Sequence, residues 1–536
     1  MPSHAARLLL ALASAASLSA CSKDEPGPEP TLPPVTASYD GPWTPLAEPG
    51  DWTDTGPLAA CSVTSAGACG TPSTFDLSGC DTRSLDTLER PGAIYRAEIR
   101  FEVPNTNGGV DIFPSGGGFM FDASGQLQRV MDLPQSNSLV GSQRFFASAE
   151  QQRNTTTVDR YTFAGCQATG PRTLTGCMAW CRNGQLRYHG TFRAERMTWR
   201  PGEAESSGLQ RVSESRVERG LPVDVYVTKG HAYVVSLPSS GQPGGLTVFD
   251  VRDARHPVQR ASLSLPNDTY WNGVWAKDTA LYIASASAGV LVFDLAAPAN
   301  PTFVQRATVP GVTGTLNVHT VFVEGSLLYA MSPSARQTLV FDISTPLAPQ
   351  LVTRYEHSDK SGYPHDAFAY GGRLYVNHTT DGFLVVDMQS ASPTLLGRYT
   401  YPRAYSHANA VGTFNGRTLA FEGGETLGAH LRVLDVTQPA SIAKVGEYKL
   451  RGMTSIHNLV LVGTRLYIAH YHEGVRVLDV ADPSQPREVA YFNTFRETDP
   501  GREDGMFEGA IGMRVPGDGY VYVVETARGL MIFNEP

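Results

Sequence analysis

Short runs that alternate apolar and polar residues recur at a regular spacing from about residue 206 to residue 536. The clearest part of each unit is an apolar strand that ends in aspartate, as in LTVFD, VLVFD and LRVLD. Six such strands end at Asp250, Asp294, Asp342, Asp387, Asp435 and Asp479, and a degenerate copy, LMIFN, ends at Asn534. The spacing is 44 to 48 residues among the six and 55 for the last step, which indicates a repeated structural unit.

Each unit contains four strand-like segments in the same order. A first strand such as HTVFVEG precedes a second such as RLYIAH, which usually contains tyrosine. The strand that ends in aspartate is third, and a run such as QLVTRYE is fourth. Four antiparallel strands repeated about every 45 residues are typical of a β-propeller blade. We therefore predict an all-β protein in which residues 206–536 form a seven-bladed β-propeller.

The recurring aspartate is expected to be a turn residue rather than part of an active site. A short carboxylate at a strand end accepts hydrogen bonds from the N–H groups of the following turn, and the prolines that often follow preset φ there. Ring closure is predicted from the segment LQRVSESRV at 209–217, which resembles the fourth strands but belongs to no unit of its own. It is expected to complete the last blade and so remove an open sheet edge.

Residues 58–205 are predicted to form a smaller, disulfide-bonded all-β domain of no recognised family. Runs such as AIYRAEIRFEVP and QLRYHGTFRAERMTWR alternate apolar with polar residues and lack helical periodicity. Its six cysteines are Cys61, Cys69, Cys80, Cys166, Cys177 and Cys181. An even number fits three disulfides, whose connectivity stays open. The C-x₃-C spacing of the last two also fits a metal, but no histidine pair is near, and an exported chain favours disulfides.

The N-terminus predicts export and lipid attachment. Residues 1–20 contain Arg7, an apolar stretch and small residues, and the segment LSAC ending at Cys21 resembles a bacterial lipobox. This resemblance implies that Cys21 carries diacylglyceryl and palmitate chains that hold the protein on a membrane. The alternative is an ordinary signal peptide with an incidental cysteine. Residues 21–57 are rich in Pro, Gly and acidic residues, which predicts a flexible tether. Ser22 favours the outer membrane or cell surface, with the inner membrane left open.

The charge balance argues against one class of partner. The chain has a net charge of −9 and no run that gathers Lys and Arg on one element, so nucleic acid is not expected as a partner. The strands LVFDI, LVVDM and RVLDV, each followed by a D-x-x-x-P-like turn, resemble the LVIVD repeat family. That resemblance implies a β-propeller on a bacterial or archaeal surface and assigns no catalytic residues.

Two series of polar residues recur when the units are aligned on their second strands. One series lies just before the first strand and the other at the end of the second strand, and both are expected at the mouth of the propeller channel. The first is Asn272, His319, His365, His407, His457 and Glu508, and the second is Ser236, Ser285, Ser332, His378, Glu422, His470 and Glu525. His472 has no counterpart and is expected out on a loop.

In blades four to seven, the alignment pairs imidazole or carboxylate from both series into a predicted half-ring. The expected pairs are His365 with His378, His407 with Glu422, His457 with His470, and Glu508 with Glu525. The candidate metal or ligand residues are therefore His319, His365, His378, His407, Glu422, His457, His470, Glu508 and Glu525. Imidazole and carboxylate are the ligands of Zn²⁺, Mn²⁺, Fe²⁺ and Cu²⁺, so one divalent metal ion is the possible cofactor.

Other interpretations of the half-ring stay open. It fits a pocket whose charge changes near neutral pH, a site for a small polar or anionic ligand without metal, or side chains that satisfy strand ends. Three functions follow. The favoured one is a lipid-anchored module that binds a surface protein, a glycan or a small ligand. The others are a metal-dependent oxidoreductase or hydrolase, and a structural component of the envelope.

Overall fold

The computed structural model describes residues 41, 43–64, 69–312, 314–359, 361–389 and 392–536. The predicted signal peptide, Cys21 and the first part of the predicted tether lie outside these residues. In the described part of the chain, no helix has the length and apolar character needed to cross a membrane.

The N-terminal domain is a closed barrel of eight antiparallel strands. Its strands are Ile94–Pro104, Val110–Phe121, Leu127–Val130, Leu133–Val140, Phe145–Asn154, Thr157–Gly170, Thr173–Arg182 and Gln185–Arg196. The first and last strands pair and close the barrel. Before it lie the short strands Ser62–Val63 and Phe75–Asp76 and the 3₁₀ helices Pro72–Thr74 and Thr82–Thr87.

Aromatic side chains fill the barrel, and three disulfides attach the preceding segment to its wall. Phe119 packs edge-on against Phe145 and Phe163 in a core of apolar side chains. The disulfides join Cys61 to Cys177, Cys69 to Cys181 and Cys80 to Cys166. The prediction of three disulfides is confirmed, and the connectivity that the sequence left open is now assigned.

Seven antiparallel sheets follow in the described residues, as predicted, six of them with four strands and one with a short fifth strand. The strands of blade 1 are Leu221–Thr228, His231–Leu237, Gly245–Asp250 and Val258–Leu263. Those of blade 2 are Trp271–Lys277, Ala280–Ser285, Gly289–Asp294 and Thr302–Arg306. Those of blade 3 are Thr320–Glu324, Leu327–Ser332, Gln337–Asp342 and Gln350–Glu356. Blades 4 and 5 are Asp366–Tyr370, Arg373–Asn377, Phe383–Asp387, Thr394–Tyr399; and Ser406–Phe414, Arg417–Gly424, Leu431–Asp435, Ala443–Tyr448, with the 3₁₀ helix Pro439–Ser441. Blades 6 and 7 are Leu459–Val462, Arg465–Ala469, Val475–Asp479, Arg487–Phe492; and Ala510–Arg514, Tyr520–Glu525, Gly529–Asn534, Arg211–Ser215.

The ring closes with a strand from the start of the repeat region. Arg211–Ser215, inside the predicted segment 209–217, pairs antiparallel with Gly529–Asn534. Blade 7 therefore joins the two ends of the propeller sequence. Just upstream, Ser206–Ser207 adds a short fifth strand to the outer edge of blade 6.

The recurring aspartates are turn residues. The carboxylate of each accepts a hydrogen bond from the N–H two residues later, at 2.8 Å for Ala296 from Asp294 and 2.8 Å for Ser344 from Asp342. The same bond forms at Asp250, Asp387, Asp435 and Asp479. The predicted turn role is confirmed, which removes these carboxylates from the candidate chemistry.

The last part of the predicted tether packs on the propeller instead of extending from it. Glu48 and Asp51 accept hydrogen bonds from Arg432 at 2.9 and 2.8 Å, and Trp52 lies under the guanidinium of Arg403. The composition of residues 21–57 suggested flexibility throughout. The acidic residues near its end are instead neutralised by cations of blade 5, which orders residues 43–57.

The barrel contacts loops of blades 5, 6 and 7. Arg403 donates to the carbonyl oxygen of Ile112 at 2.6 Å, and Arg451 donates to that of Thr198 at 3.0 Å. Arg196 of the last barrel strand forms an ion pair of 2.7 Å with Glu497, and Asp504 lies 3.2 Å from Arg129. These loops connect the strands on the face of the propeller where the first strands begin.

Candidate functional site

The first polar series takes the same backbone position in successive blades. The N–H groups of His319, His365 and His457 donate to the carbonyl oxygens of Met331, Asn377 and Ala469 at 2.8, 2.8 and 2.9 Å. His407 lies at a bulge, where the pairing of the strand Ser406–Phe414 with its neighbour shifts by one residue. The bulge restores the inward direction of the fourth imidazole despite the longer hairpin of blade 5.

Four imidazoles from blades 3 to 6 form a continuous arc. We call His319, His365, His407 and His457 the histidine arc. The ring centroids of successive members lie 4.2, 4.1 and 4.3 Å apart, and the ring of Tyr471 continues the row 4.8 Å from His457. Four of the nine candidate residues therefore meet, as the alignment of the repeats predicted.

Each end of the arc is held by a hydrogen bond. At one end the amide Nδ2 of Asn272 lies 3.3 Å from Nε2 of His319 and donates to its carbonyl oxygen at 3.0 Å. At the other end Nδ1 of His457 donates to the carbonyl oxygen of Ile511 at 2.6 Å. Because a neutral imidazole carries one proton, Nε2 of His457 then holds a free lone pair.

Burial keeps the arc uncharged. His365 and His407 are 6% and 3% exposed. Burial lowers the pKa of His319 to about 4 and that of His457 to about 3. Burial, reinforced by the neighbouring imidazoles, holds the pKa of His365 and His407 well below the usual range. These shifts favour the neutral form of all four imidazoles at pH 7.

Glu425, a carboxylate outside the nine candidate residues, completes the site. Oε2 of Glu425 lies 3.5 Å from Nε2 of His407, and Oε1 lies 3.5 Å from Nε2 of His457. The hydroxyl of Tyr471 donates to Oε1. Burial raises the pKa of Glu425 to about 7, so the group that titrates near neutrality is this carboxyl.

The loop that carries Glu425 is fixed on two sides. Leu427 packs in an apolar cluster with Ile94 and Met197 of the barrel domain. On the other side the hydroxyl of Thr426 donates to Asp51 at 3.3 Å. The barrel and the segment before it therefore hold the loop that brings the carboxylate to the arc.

In blades 4 and 6 the second polar series lies in the turns that follow the second strands. The backbone N–H groups of His378 and His470 donate to the carbonyl oxygens of Gly382 and Gly474 in their own turns. Nδ1 of His378 pairs with Asp381 at 2.8 Å. Asp381 therefore holds the imidazole of His378 in its own turn, whereas Nδ1 of His470 is buried without a hydrogen-bond partner among the described residues. The pairs of His365 with His378 and of His457 with His470 stay predictions.

Glu422 is held by groups other than His407 among the residues that the structure describes. Glu422 accepts hydrogen bonds from Ser406 at 2.8 Å and from Tyr401 at 3.3 Å and lies 3.8 Å from Arg432. Its burial raises its pKa to about 7. This carboxyl belongs to the buried polar group around Arg432, while Glu425, three residues later, takes the place expected for it.

In blade 7 both acidic candidate residues pair with the same arginine. Glu508 lies 3.0 Å from Nη1 of Arg502, and Glu525 pairs with Nη2 of the same guanidinium. Glu525 also accepts hydrogen bonds from the N–H groups of Ala527 and Arg528 in its turn. The two carboxyls meet, as predicted, but around a cation of the protein and separately from the histidine arc.

His472 is buried rather than exposed on a loop. It is 3% exposed, and its ring lies 4.7 Å from that of Phe495. Burial, together with nearby Arg96 and Arg451, holds its pKa well below the usual range. The repeat alignment left His472 out of the candidate residues. It did not predict that this histidine is buried near the barrel.

Aromatic side chains of the first strands lie three residues after members of the first polar series. Trp275, Phe322 and Phe368 form an aromatic row with centroids 4.7 and 4.9 Å apart. The guanidinium of Arg514 lies 4.1 Å from the Trp275 ring. The arc therefore borders an aromatic surface within the channel.

The closed ring of seven blades, joined to a disulfide-bonded barrel, places the chain among the β-propeller proteins. The model of the LVIVD repeat family matches residues 271–309 and 455–494, which contain blades 2 and 6. These two matches agree with the LVIVD repeat that the strands of the sequence suggested. A search of curated proteins found no match. A propeller of these repeats supports an interaction or structural role in general.

Proposed function

We propose that this protein is a lipid-anchored component of the cell envelope whose propeller binds a small ligand at the histidine arc. The observation that carries the proposal is the contact of four imidazoles from four blades, two of them almost fully buried, with centroids 4.1 to 4.3 Å apart. Buried polar side chains are normally hydrogen-bonded. Among the described residues, however, Nδ1 of His365 and Nδ1 of His407 have no such partner.

Burial favours a small ligand over a protein or glycan. A protein surface contacts exposed side chains, whereas His365 and His407 lie almost entirely below the surface. A concave site with a few convergent polar groups is typical of small-molecule and ion binding. Tyr471 and the aromatic row of the channel add apolar surface beside these polar groups.

The envelope location is proposed from the sequence of the N-terminus. The lipobox-like segment that ends at Cys21 supports lipid attachment, and the three disulfides of the barrel domain fit an oxidising compartment. Labelled palmitate should enter the wild-type chain expressed in bacteria and should not enter the Cys21→Ser variant. Equal labelling of both would contradict the anchor.

Ligand binding is tested by thermal shift with a panel of small solutes. The panel contains inorganic phosphate, acetate, simple sugars, amino acids and divalent metal ions. At least one solute should raise the melting temperature of the wild type and of His378→Gln, but not of His407→Gln. The control removes a buried imidazole that the turn of blade 4 already engages. If no solute acts, or if His407→Gln responds like the wild type, the proposed function is wrong.

A further inference from the structure

We infer that His365, His407 and Glu425 bind one divalent transition-metal ion. The inference rests on the proposed function, since it names the ligand class of the same site. One ligand atom from each of these residues lies within 4.8 Å of those of the other two. Residues from blades 4 and 5, up to 60 positions apart in sequence, are brought within this distance by the ring.

Two hydrogen-bond acceptors of the site, Nε2 of His457 and Oε1 of Glu425, face each other. Nε2 of His457 carries a lone pair because its Nδ1 donates to Ile511, and this lone pair is 3.5 Å from Oε1 of Glu425. In addition, His365 and His407 each have a buried Nδ1 without a hydrogen-bond partner in the described part of the chain, so neither imidazole is fully engaged by the protein. Acceptors that face each other in a buried site need a proton or a cation between them.

The spacing of the donor atoms suits a small metal ion. Ligand atoms ~2.0–2.1 Å from a tetrahedral Zn²⁺ lie about 3.3–3.4 Å from one another. Nε2 of His407 and Oε2 of Glu425 are 3.5 Å apart, so both reach one ion after a shift of tenths of an ångström. The other distances between ligand atoms of the cluster are within 4.8 Å, so binding of a tetrahedral ion requires these atoms to approach one another by up to about 1.5 Å.

The donor types select the class of metal. Two imidazoles and one carboxylate suit Zn²⁺, Fe²⁺, Co²⁺, Ni²⁺ or Cu²⁺, whereas Ca²⁺ and Mg²⁺ take mainly oxygen ligands. The hydroxyl of Tyr471 orients the carboxylate by its hydrogen bond to Oε1, as groups around a metal site commonly do. Three protein ligands leave at least one coordination position for water or a second small ligand.

The experiment uses the full chain without a histidine tag. The protein is treated with a chelator and dialysed, and Zn²⁺ and Co²⁺ binding is measured by calorimetry together with metal content by mass spectrometry. The wild type should bind one equivalent. His365→Gln, His407→Gln and Glu425→Gln should each lower the affinity at least about 100-fold, since changes even to the groups that orient ligands cost 10–100-fold. The matched controls His378→Gln and Glu422→Gln, also buried, should leave it unchanged.

Cobalt absorption of the wild type gives a result that does not depend on any variant folding. Bound Co²⁺ should show visible bands of a four- or five-coordinate site without a thiolate charge-transfer band. Less than about a tenth of an equivalent of metal with no thermal shift would overturn the inference, as would full affinity in the three ligand variants. The proposed function survives that outcome if another solute still stabilises the wild type but not His407→Gln, and falls if none does.

Discussion

Oε2 of Glu425 lies 3.5 Å from Nε2 of His407, at the open end of the first hairpin of blade 5, where Ser406 pairs with Gly424. His407 is the second residue of the first strand, and Glu425 directly follows the end of the second. One blade therefore supplies both an imidazole and a carboxylate, and the neighbouring blade adds His365. The position of Glu425 depends on the loop that holds it, which gives the barrel domain a role in the site.

Leu427→Ala tests that role. Leu427 is 7% exposed and packs against Ile94 and Met197, so its truncation should free the loop that carries Glu425. We expect the affinity for Zn²⁺ to fall about 10-fold, as for loss of a group that orients a metal ligand. Calorimetry of the wild type and variant measures this change.

A control variant separates the effect on the loop from general loss of stability. Val445→Ala removes buried apolar surface from the fourth strand of the same blade and should lower the free energy of unfolding without changing the affinity. Equal affinities in Leu427→Ala and the wild type would show that barrel contact does not position Glu425.

Much of the propeller fold is predictable from the sequence because the residues that form the strands and turns recur in each repeat. A carboxylate such as Asp294 or Asp342 ends each third strand and accepts the N–H of the next turn, so the period is visible in the residues themselves. The backbone position of His319, His365 and His457 follows from the same period. The alternation of the barrel strands predicts their type, but their number and closure depend on pairing between distant segments.

The second half of the candidate site was not predictable from alignment alone. An aligned position fixes a place in the backbone but not the partner that a side chain finds, and the turn carboxylate Asp381 binds His378 locally. Glu425 lies outside the aligned strands, in the loop from Gly424 to Leu431. That loop is longer than the equivalent loop of blade 2 from Ser285 to Gly289. The extra length of this loop and the glutamate within it are the features of the sequence that could have indicated Glu425 as a site residue.

Arg432→Met should strongly destabilise the protein. Arg432 has a fully buried side chain, donates to Glu48 and Asp51 and lies 3.7 Å from the ring centroid of Tyr401. Its loss leaves buried carboxylates without a cation, which typically costs about 3–5 kcal/mol. Urea unfolding of the variant and wild type measures this difference.

Arg417→Met is the control for this prediction. Arg417 pairs with Asp435 on the same blade, but its side chain is 43% exposed. Exposed ion pairs contribute about 0–1 kcal/mol, so this variant should remain close to the wild type. Similar losses in the two variants would show that burial of the Arg432 group does not decide its contribution.

Asp224→Asn should change how stability depends on pH. Burial raises the pKa of Asp224 to about 6, whereas an unfolded aspartate titrates near ~3.9. The native protein therefore keeps a proton that the unfolded chain loses, and the contribution of Asp224 falls as pH rises from about 4 to about 6. The free energy of unfolding of the wild type relative to Asp224→Asn should drop by up to about 3 kcal/mol between pH 4 and pH 7.

Asp342→Asn should change the pH dependence of the free energy of unfolding in the opposite direction. The Ser344 hydroxyl and N–H hold the pKa of Asp342 below its usual range, so its contribution is present above pH 4 and is lost as the pH falls. Denaturant unfolding from about pH 2 to pH 7 measures both variants, with the change for Asp342→Asn expected below pH 4 and that for Asp224→Asn above it. A difference between the wild type and Asp224→Asn that does not vary with pH would refute a raised pKa at Asp224.

Proline in the closing strand should open the ring. Ser213 and Glu214 pair with Ile532 and Met531, and alternate residues of an antiparallel strand donate to its neighbour. One of Ser213→Pro and Glu214→Pro therefore removes a ladder hydrogen bond, at a cost of about 3 kcal/mol or more. The unpaired edge of Gly529–Asn534 should also promote self-association, measurable by light scattering.

The same change in an outer strand provides the comparison. Ala261 and Ser262 lie in the fourth strand of blade 1 and pair within that blade, so Ala261→Pro and Ser262→Pro should loosen one edge without opening the ring. We expect no self-association from them. Monomeric, stable protein in both closing-strand variants would mean that Arg211–Ser215 is dispensable for closure.

The most direct test of a metal ion at the histidine arc is anomalous X-ray diffraction from crystals grown with Zn²⁺. Data on either side of the zinc absorption edge locate the ion independently of affinity or variants. The account predicts one strong zinc peak among the imidazoles of His365 and His407 and the carboxylate of Glu425. A map with no peak at these three side chains, or with zinc only at surface carboxylates, would contradict it.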